Sequence, residues 1–144
     1  MKISTKGRYG LRAFIDLAKY STEGPVSISS IAERQNLSEG YLEQLMAKLK
    51  KNGLIQSVRG AGGGYILNKN IDEISVGDVL RALEGNMELV TCAAFHDVET
   101  CGFEKTCVTK YVWQRINESI LNTIDDIKIA TLVEKSGQEG GYDE

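Results

Sequence analysis

Arg59-Gly60-Ala61-Gly62-Gly63-Gly64-Tyr65, coming after Ser38-Glu39-Gly40-Tyr41-Leu42-Glu43-Gln44-Leu45, decides how this chain folds. The earlier stretch has a helix-capping serine followed by apolar residues at helical spacing. The later one is a glycine tip, led by a single arginine, between the β-rich segments Leu54–Arg59 and Gly64–Leu67. A capped helix running into a glycine-tipped hairpin reads as a helix-turn-helix with a β-wing. Such a pairing offers one element to the DNA major groove and another to a neighbouring groove.

Four of the five residues 60–64 are glycine, which permits positive φ and close backbone approach. A phosphate-cradling nucleotide loop would need a Lys-Ser/Thr pair and a following helix, and neither follows Tyr65. The tip is therefore read as a wing, with Arg59 and Gly60 placed to enter a minor groove or grip phosphate. On the preceding helix, Leu42, Leu45, Met46 and Leu49 form the buried stripe. Ser38, Tyr41, Glu43, Gln44 and Lys48 lie off it and are the candidate base-edge readers. A glutamate accepts from the cytosine amine and a glutamine pairs with adenine. Lys50 and Lys51 suit phosphates, which give affinity without sequence information. A merely solvated helix face is the plainer reading of such a run, and the wing that follows argues against it.

Working outward, Leu11, Phe14, Ile15, Leu17 and Ala18 predict a first helix over about 6–21, ended by Gly24-Pro25. Ser27 caps a short second helix, and Asn36-Leu37-Ser38 is the turn into the third, which Gly53 ends. Ser75 opens a further helix that ends at Gly85. Residues 86–107 show no sustained period. From about Thr109 a long helix carries the stripe Val112, Trp113, Ile116, Ile120 and Ile124, and a last helix covers about Ile129–Lys135. The fold class expected is mainly α with a small β-wing, a winged helix-turn-helix plus a long C-terminal dimerisation helix. The expected division is a DNA-binding domain over 1–69, a helix, cysteine-bearing loop and dimerisation helix over 70–134, and a mobile tail over 135–144.

Charge is divided along the same line. Residues 1–69 carry 11 Lys or Arg against 5 Asp or Glu, whereas residues 70–144 carry 6 against 15. The overall charge of −3 conceals a basic half suited to phosphate and an acidic half suited to a solvated or partner-facing surface. Charges at Lys2, Lys6, Arg8, Arg12 and Asp16 interrupt any secretory signal, and the apolar runs are too short to span a bilayer. A cytoplasmic protein without membrane partners is expected. All three cysteines, Cys92, Cys101 and Cys107, fall in the irregular stretch as C-x8-C-x5-C. In a reducing compartment such a cluster reads as a metal or redox site rather than a disulfide framework. Thiolates are soft ligands for zinc or iron–sulfur clusters, and the paired C-x2-C of a zinc ribbon is absent.

Met1–Gly10 (MKISTKGRYG), Tyr41-Leu42-Glu43-Gln44-Leu45, Lys51-Asn52-Gly53-Leu54-Ile55, Ser57-Val58-Arg59-Gly60 and Gly63-Gly64-Tyr65 together resemble the Rrf2 family of winged-helix regulators, over about residues 1–134. The resemblance implies a homodimer built on the long C-terminal helix and binding near-palindromic double-stranded operator DNA. It also implies that Glu43, Gln44 and Arg59 touch that DNA. Gly40 stands where the family has serine or histidine. One branch of the family holds an iron–sulfur cluster, of the two-iron, two-sulfur type, on three cysteines before the dimer helix. That implies Cys92, Cys101 and Cys107 as ligands.

This chain departs from that branch at three points. Its first cysteine interval is longer and contains His96, Lys110 replaces a histidine, and Arg8 stands where some relatives place a carboxylate. The fourth ligand stays open among His96, Asp97, Glu104 and an exogenous donor. The expected function is a transcription regulator, a repressor of cluster-assembly or sulfur-metabolism genes that senses iron–sulfur status. The alternative is a cysteine-metabolism repressor that senses through a partner biosynthetic enzyme or thiol oxidation, with no cluster. An enzyme is not expected, because a catalytic thiol needs a base and a substrate pocket that nothing in the chain supplies.

Overall fold

The computed structural model describes residues 2–88 and 107–138. Three helices come first: α1 (Thr5–Tyr20), α2 (Ile28–Gln35) and α3 (Glu39–Lys51). A hairpin of β1 (Ile55–Val58) and β2 (Gly64–Leu67) follows, then α4 (Val76–Glu84), α5 (Thr109–Asp126) and α6 (Ile129–Gln138). The fold is thus mainly helical with a two-stranded wing, as the patterning predicts.

Local chemistry sets most of the boundaries. The hydroxyls of Ser27, Ser38 and Ser75 accept from the backbone N–H of Ser30, Tyr41 and Asp78, each satisfying a donor that the helix itself leaves free. At Ser75 the Asp78 carboxylate returns the bond to the backbone, completing a capping box. Asn36, at φ 55°, makes the tight turn between α2 and α3. Gly53 and Gly85, at φ 76° and 78°, follow α3 and α4 in a conformation that other residues rarely adopt.

One core unites the helices and the base of the wing. Phe14 and Leu17 of α1, Ile31 of α2, Leu42, Leu45, Met46 and Leu49 of α3, Ile55 of β1 and Val79 and Leu83 of α4 are all fully buried in it. Burying a leucine or phenylalanine is worth about 1.5–3 kcal/mol, so this cluster sets the orientation of α3. The wing strands are antiparallel, with Ile55 opposite Leu67 and Val58 opposite Gly64. Val26, in the α1–α2 connection, exchanges two 2.9 Å backbone bonds with Tyr65 and so forms a one-residue third strand. A Cβ at Gly64 would strike the Val26 carbonyl, so glycine is required where the wing meets that connection.

Beyond the wing, Val76 N–H donates to the Ile127 carbonyl and Ile129 N–H to that of Ile74, pinning the α5–α6 junction to the start of α4. Helix α6 runs to Gln138, past the end expected at Lys135. Ser136 is buried and its hydroxyl donates to the Val133 carbonyl, so the tail expected from residue 135 begins inside a packed helix. Residues 139–144, the rest of that tail, lie outside the described residues.

Candidate functional site

The exposed face of α3 carries the expected readers. Glu43, Gln44 and Lys51 are exposed, Lys48 is half-buried, and none of the four has a hydrogen-bonding partner among the described residues. Their stems are fixed because Leu42, Leu45, Met46 and Leu49 hold the opposite face in the core. Ser38 is exposed at the N-terminus of α3, where its oxygen accepts from Tyr41 N–H at 3.2 Å and its proton remains free to donate.

Tyr41 departs from the expectation. Its hydroxyl is buried without a partner, and its ring meets that of Tyr9 edge-on at 6.4 Å and 84°. The aromatic body is drawn into the α1–α3 contact, so the hydroxyl cannot reach a base edge in this arrangement. Lys50 also differs from Lys51. Its ammonium donates to the Ser57 hydroxyl at 2.9 Å, tying the end of α3 to β1. Arg59 and Gly60 lie exposed at the wing tip, where Gly60 adopts φ 111° and its carbonyl accepts from Gly63 N–H at 3.0 Å. Among the described residues Arg59 has no partner, which leaves its guanidinium available to phosphate or a narrow groove.

An ion pair that the sequence reading did not find holds the first two helices in place. Asp16 is almost fully buried, and Arg34 donates to its two oxygens at 2.7 and 2.9 Å. Gln35 Nε2 adds a third bond at 3.0 Å and accepts at its own oxygen from Arg12. The bond to Asp16 is the main reason the Arg34 guanidinium is held above its ordinary pKa. Its plane also covers the Tyr20 ring at 4.1 Å. A signal existed in the sequence: Asp16 is a charged residue between Ile15 and Leu17, within the apolar stripe of α1.

Of the three cysteines, Cys107 alone is among the described residues; Cys92 and Cys101, with His96, Asp97 and Glu104, lie outside them. Cys107 is exposed just before α5, with its sulfur 2.9 Å from the Thr109 hydroxyl. That hydroxyl, then the backbone N–H groups of Lys110 and Thr109, and then the Lys110 charge lower the thiol's pKa. A thiol whose pKa is lowered just before a helix fits a soft-metal ligand and equally a redox-active thiol. On α5 the apolar stripe faces outward. Val112, Trp113 and Ile116 are exposed, as is Tyr111, while Ile120 and Ile124 are half-buried.

Residues 3–135 match the family described as "Rrf2: Iron-dependent Transcriptional regulator". The chain belongs to the Rrf2 family. The HTH-type transcriptional regulator IscR of Serratia proteamaculans is 42% identical over 133 residues, which span 92% of this chain and 79% of that protein. Among solved structures, IscR of T. potens is similar at 44% identity and a TM-score of 0.77, covering 100% of this chain and 94% of the other. CymR, the global cysteine regulator of B. subtilis, is similar at 42% identity and a TM-score of 0.76, covering 94% and 98%. This Rrf2 chain is accordingly a DNA-binding transcription regulator of IscR type and not an enzyme. No helix among the described residues is long and apolar enough to cross a membrane.

Proposed function

We propose that the protein is a homodimeric regulator, acting chiefly as a repressor, that reads a near-palindromic operator with Ser38, Glu43, Gln44, Lys48, Lys51, Arg59 and Gly60 and senses iron–sulfur status through a two-iron, two-sulfur cluster on Cys92, Cys101 and Cys107. The likeness to the IscR proteins carries this reading, and the exposed Cys107 thiol, two residues before an α5 whose apolar face is exposed among the described residues, fits it. A second copy packed on Val112, Trp113 and Ile116 would bury that face and set the distance between two recognition helices. Bound by the three thiolates, a cluster supplies a ligand whose presence depends on iron supply and oxidants. Its effect on DNA affinity equals its preference for one dimer geometry over another. Cluster-assembly and sulfur-metabolism genes are the regulated class that suits such a sensor, in a cytoplasmic setting.

The likeness to CymR and the lowered pKa of Cys107 also support a second reading, in which the cysteines act as redox thiols or a cysteine-biosynthesis enzyme serves as partner. Iron and acid-labile sulfide per chain, with an absorption spectrum of protein purified without oxygen, separate the two. Equal iron and sulfide with visible charge-transfer bands support the cluster. Colourless protein that still binds DNA, with affinity changed by reversible thiol oxidation, sinks the cluster reading in favour of the second.

A further inference from the structure

Helix α1 is capped differently from its neighbours. Helices α2, α3 and α4 each use their own serine, whereas Ser4 makes no cap bond to α1 and the first turn of α1 contains no acidic residue. The missing acceptor comes from the last residue of α4. One oxygen of Glu84 accepts from Ser4 N–H at 2.9 Å, from the Ser4 hydroxyl at 2.6 Å and from Gly7 N–H at 3.1 Å. A carboxylate at a helix N-terminus is favoured both by the orphan N–H groups and by the helix dipole. The fit is tight, because a Cβ at Gly7 would strike that same oxygen and one at Gly10 would strike Leu83. A small cavity of about 90 Å³ beside the carboxylate is lined by Lys2, Ile3, Asn86, Met87 and Glu88. The residues leaving α4 toward the cysteines therefore share a cavity with the start of the chain.

We propose that Glu84 is the positioning residue through which the state of the cysteine-bearing stretch reaches the recognition helix, an inference that rests on the cluster reading above. Gly85 alone separates Glu84 from that stretch in sequence. On the other side, the Glu84 carboxylate grips the end of α1 that bears Lys6 and Arg8. Two residues past Gly7 on α1, Tyr9 bears edge-on on Tyr41 in the first turn of α3. A shift in the end of α4 thus alters the hold on α1, and α1 carries it by direct contact to the helix that reads DNA.

The test compares operator affinity of iron-loaded and iron-free protein for the wild type, Glu84→Ala, Glu84→Gln and Ser4→Ala, with iron per chain measured for each. Wild-type forms should differ at least about fivefold, the lower range of ordinary allosteric coupling. Glu84→Ala should bring that ratio to within about twofold of unity while keeping its iron. Glu84→Gln retains the accepting oxygen and should keep most of the ratio. Ser4→Ala, which removes one of the three bonds and leaves both backbone bonds in place, should reduce it part-way. A wild-type ratio preserved in both Glu84→Ala and Ser4→Ala, with iron intact, overturns Glu84 as the coupling residue and leaves the cluster reading standing. Equal loss in Glu84→Ala and Glu84→Gln overturns the hydrogen-bond route. Wild-type protein that takes up no iron overturns the cluster reading and this inference with it.

Discussion

Replacing Asp16 with alanine separates burial from bond length as the determinant of what an ion pair is worth here. The Asp16 side chain is 2% exposed and binds Arg34 at 2.7 Å, with Gln35 as a further donor. Alanine leaves the Gln35 amide buried with its N–H unpaired and strips the guanidinium of its counter-ion. Removing one member of a buried pair costs about 3–5 kcal/mol. Arg34 retains 33% exposure and the Tyr20 face, so its charge can recover some hydration. The loss should therefore sit at the lower end, about 3 kcal/mol. In a chain of this length that lowers Tm by roughly 6–12 °C. The matched control is Arg81→Ala. Arg81 binds both oxygens of Asp125 at 2.6 Å, a shorter contact than that of Arg34, but the two side chains are 41% and 44% exposed. That pair should be worth no more than about 1 kcal/mol. Urea unfolding at one fixed protein concentration reads both, since self-association would otherwise shift the midpoints. Equal losses in the two variants would refute the reasoning, as would an Asp16→Ala loss below about 1 kcal/mol.

Three further outcomes follow from the same geometry. Lys51→Ala removes one free ammonium per protomer, so a dimer should lose about 1.8 from the slope of log K against log salt; the affinity gap to wild type should then be about twelvefold wider at 50 mM than at 200 mM salt. Glu43→Ala should relax discrimination at one base pair of each half-site by about 1–3 kcal/mol while leaving the salt slope in place, as read by binding to single-substituted operators. Gly64→Ala should destabilise the fold by at least about 1–3 kcal/mol, because φ is +154° and the Val26 carbonyl blocks the new methyl. Gly62→Ala meets open space and should stay within about 0.5 kcal/mol of wild type, so parity of the two glycine variants in thermal unfolding would refute that account.

What could be read in the sequence was whatever the chain settles within a few residues. Ser27, Ser38 and Ser75 announce their helices because a hydroxyl and the amide it caps are three residues apart. The glycine tip announces the hairpin for the same local reason. The candidate readers Glu43 and Gln44 follow from the phase of α3 once Leu42 and Leu45 are assigned to the core. What escaped is set by partners far along the chain. Ser4 carries no signal of its role until Glu84, 80 residues away, is seen to accept its hydroxyl hydrogen bond. Val26 looks like loop until it pairs with Tyr65. Tyr41 lies on the polar side of α3 by periodicity, yet Tyr9 of another helix decides where its ring goes. The late end of α6 is a smaller case, where packing of Ser136 carries the helix past the point at which local propensity weakens.

The bonds that escaped sequence reading also constrain how such a protein can be regulated. Within one protomer the wing is fixed to α3 by the Lys50–Ser57 bond, by Leu54 N–H donating to the Leu49 carbonyl, and by the Val26–Tyr65 exchange that ties β2 to the base of α2. Asp16 locks α2 to α1, and Tyr9 locks α1 to α3. The Glu43 face and the Arg59 tip therefore keep one spacing, and no small signal can alter it without breaking the buried Asp16 pair or the core around Leu45 and Met46. In the dimer proposed here the softer coordinate lies between protomers, across the stripe of Val112, Trp113 and Ile116. A dimeric reader of a near-palindrome is sensitive to that coordinate, because its two recognition helices must fit major grooves about one helical turn, or about 34–36 Å, apart. The thiol of Cys107 stands two residues before α5, the helix that would set the distance between heads, while the Glu84 carboxylate grips α1 within the reading head.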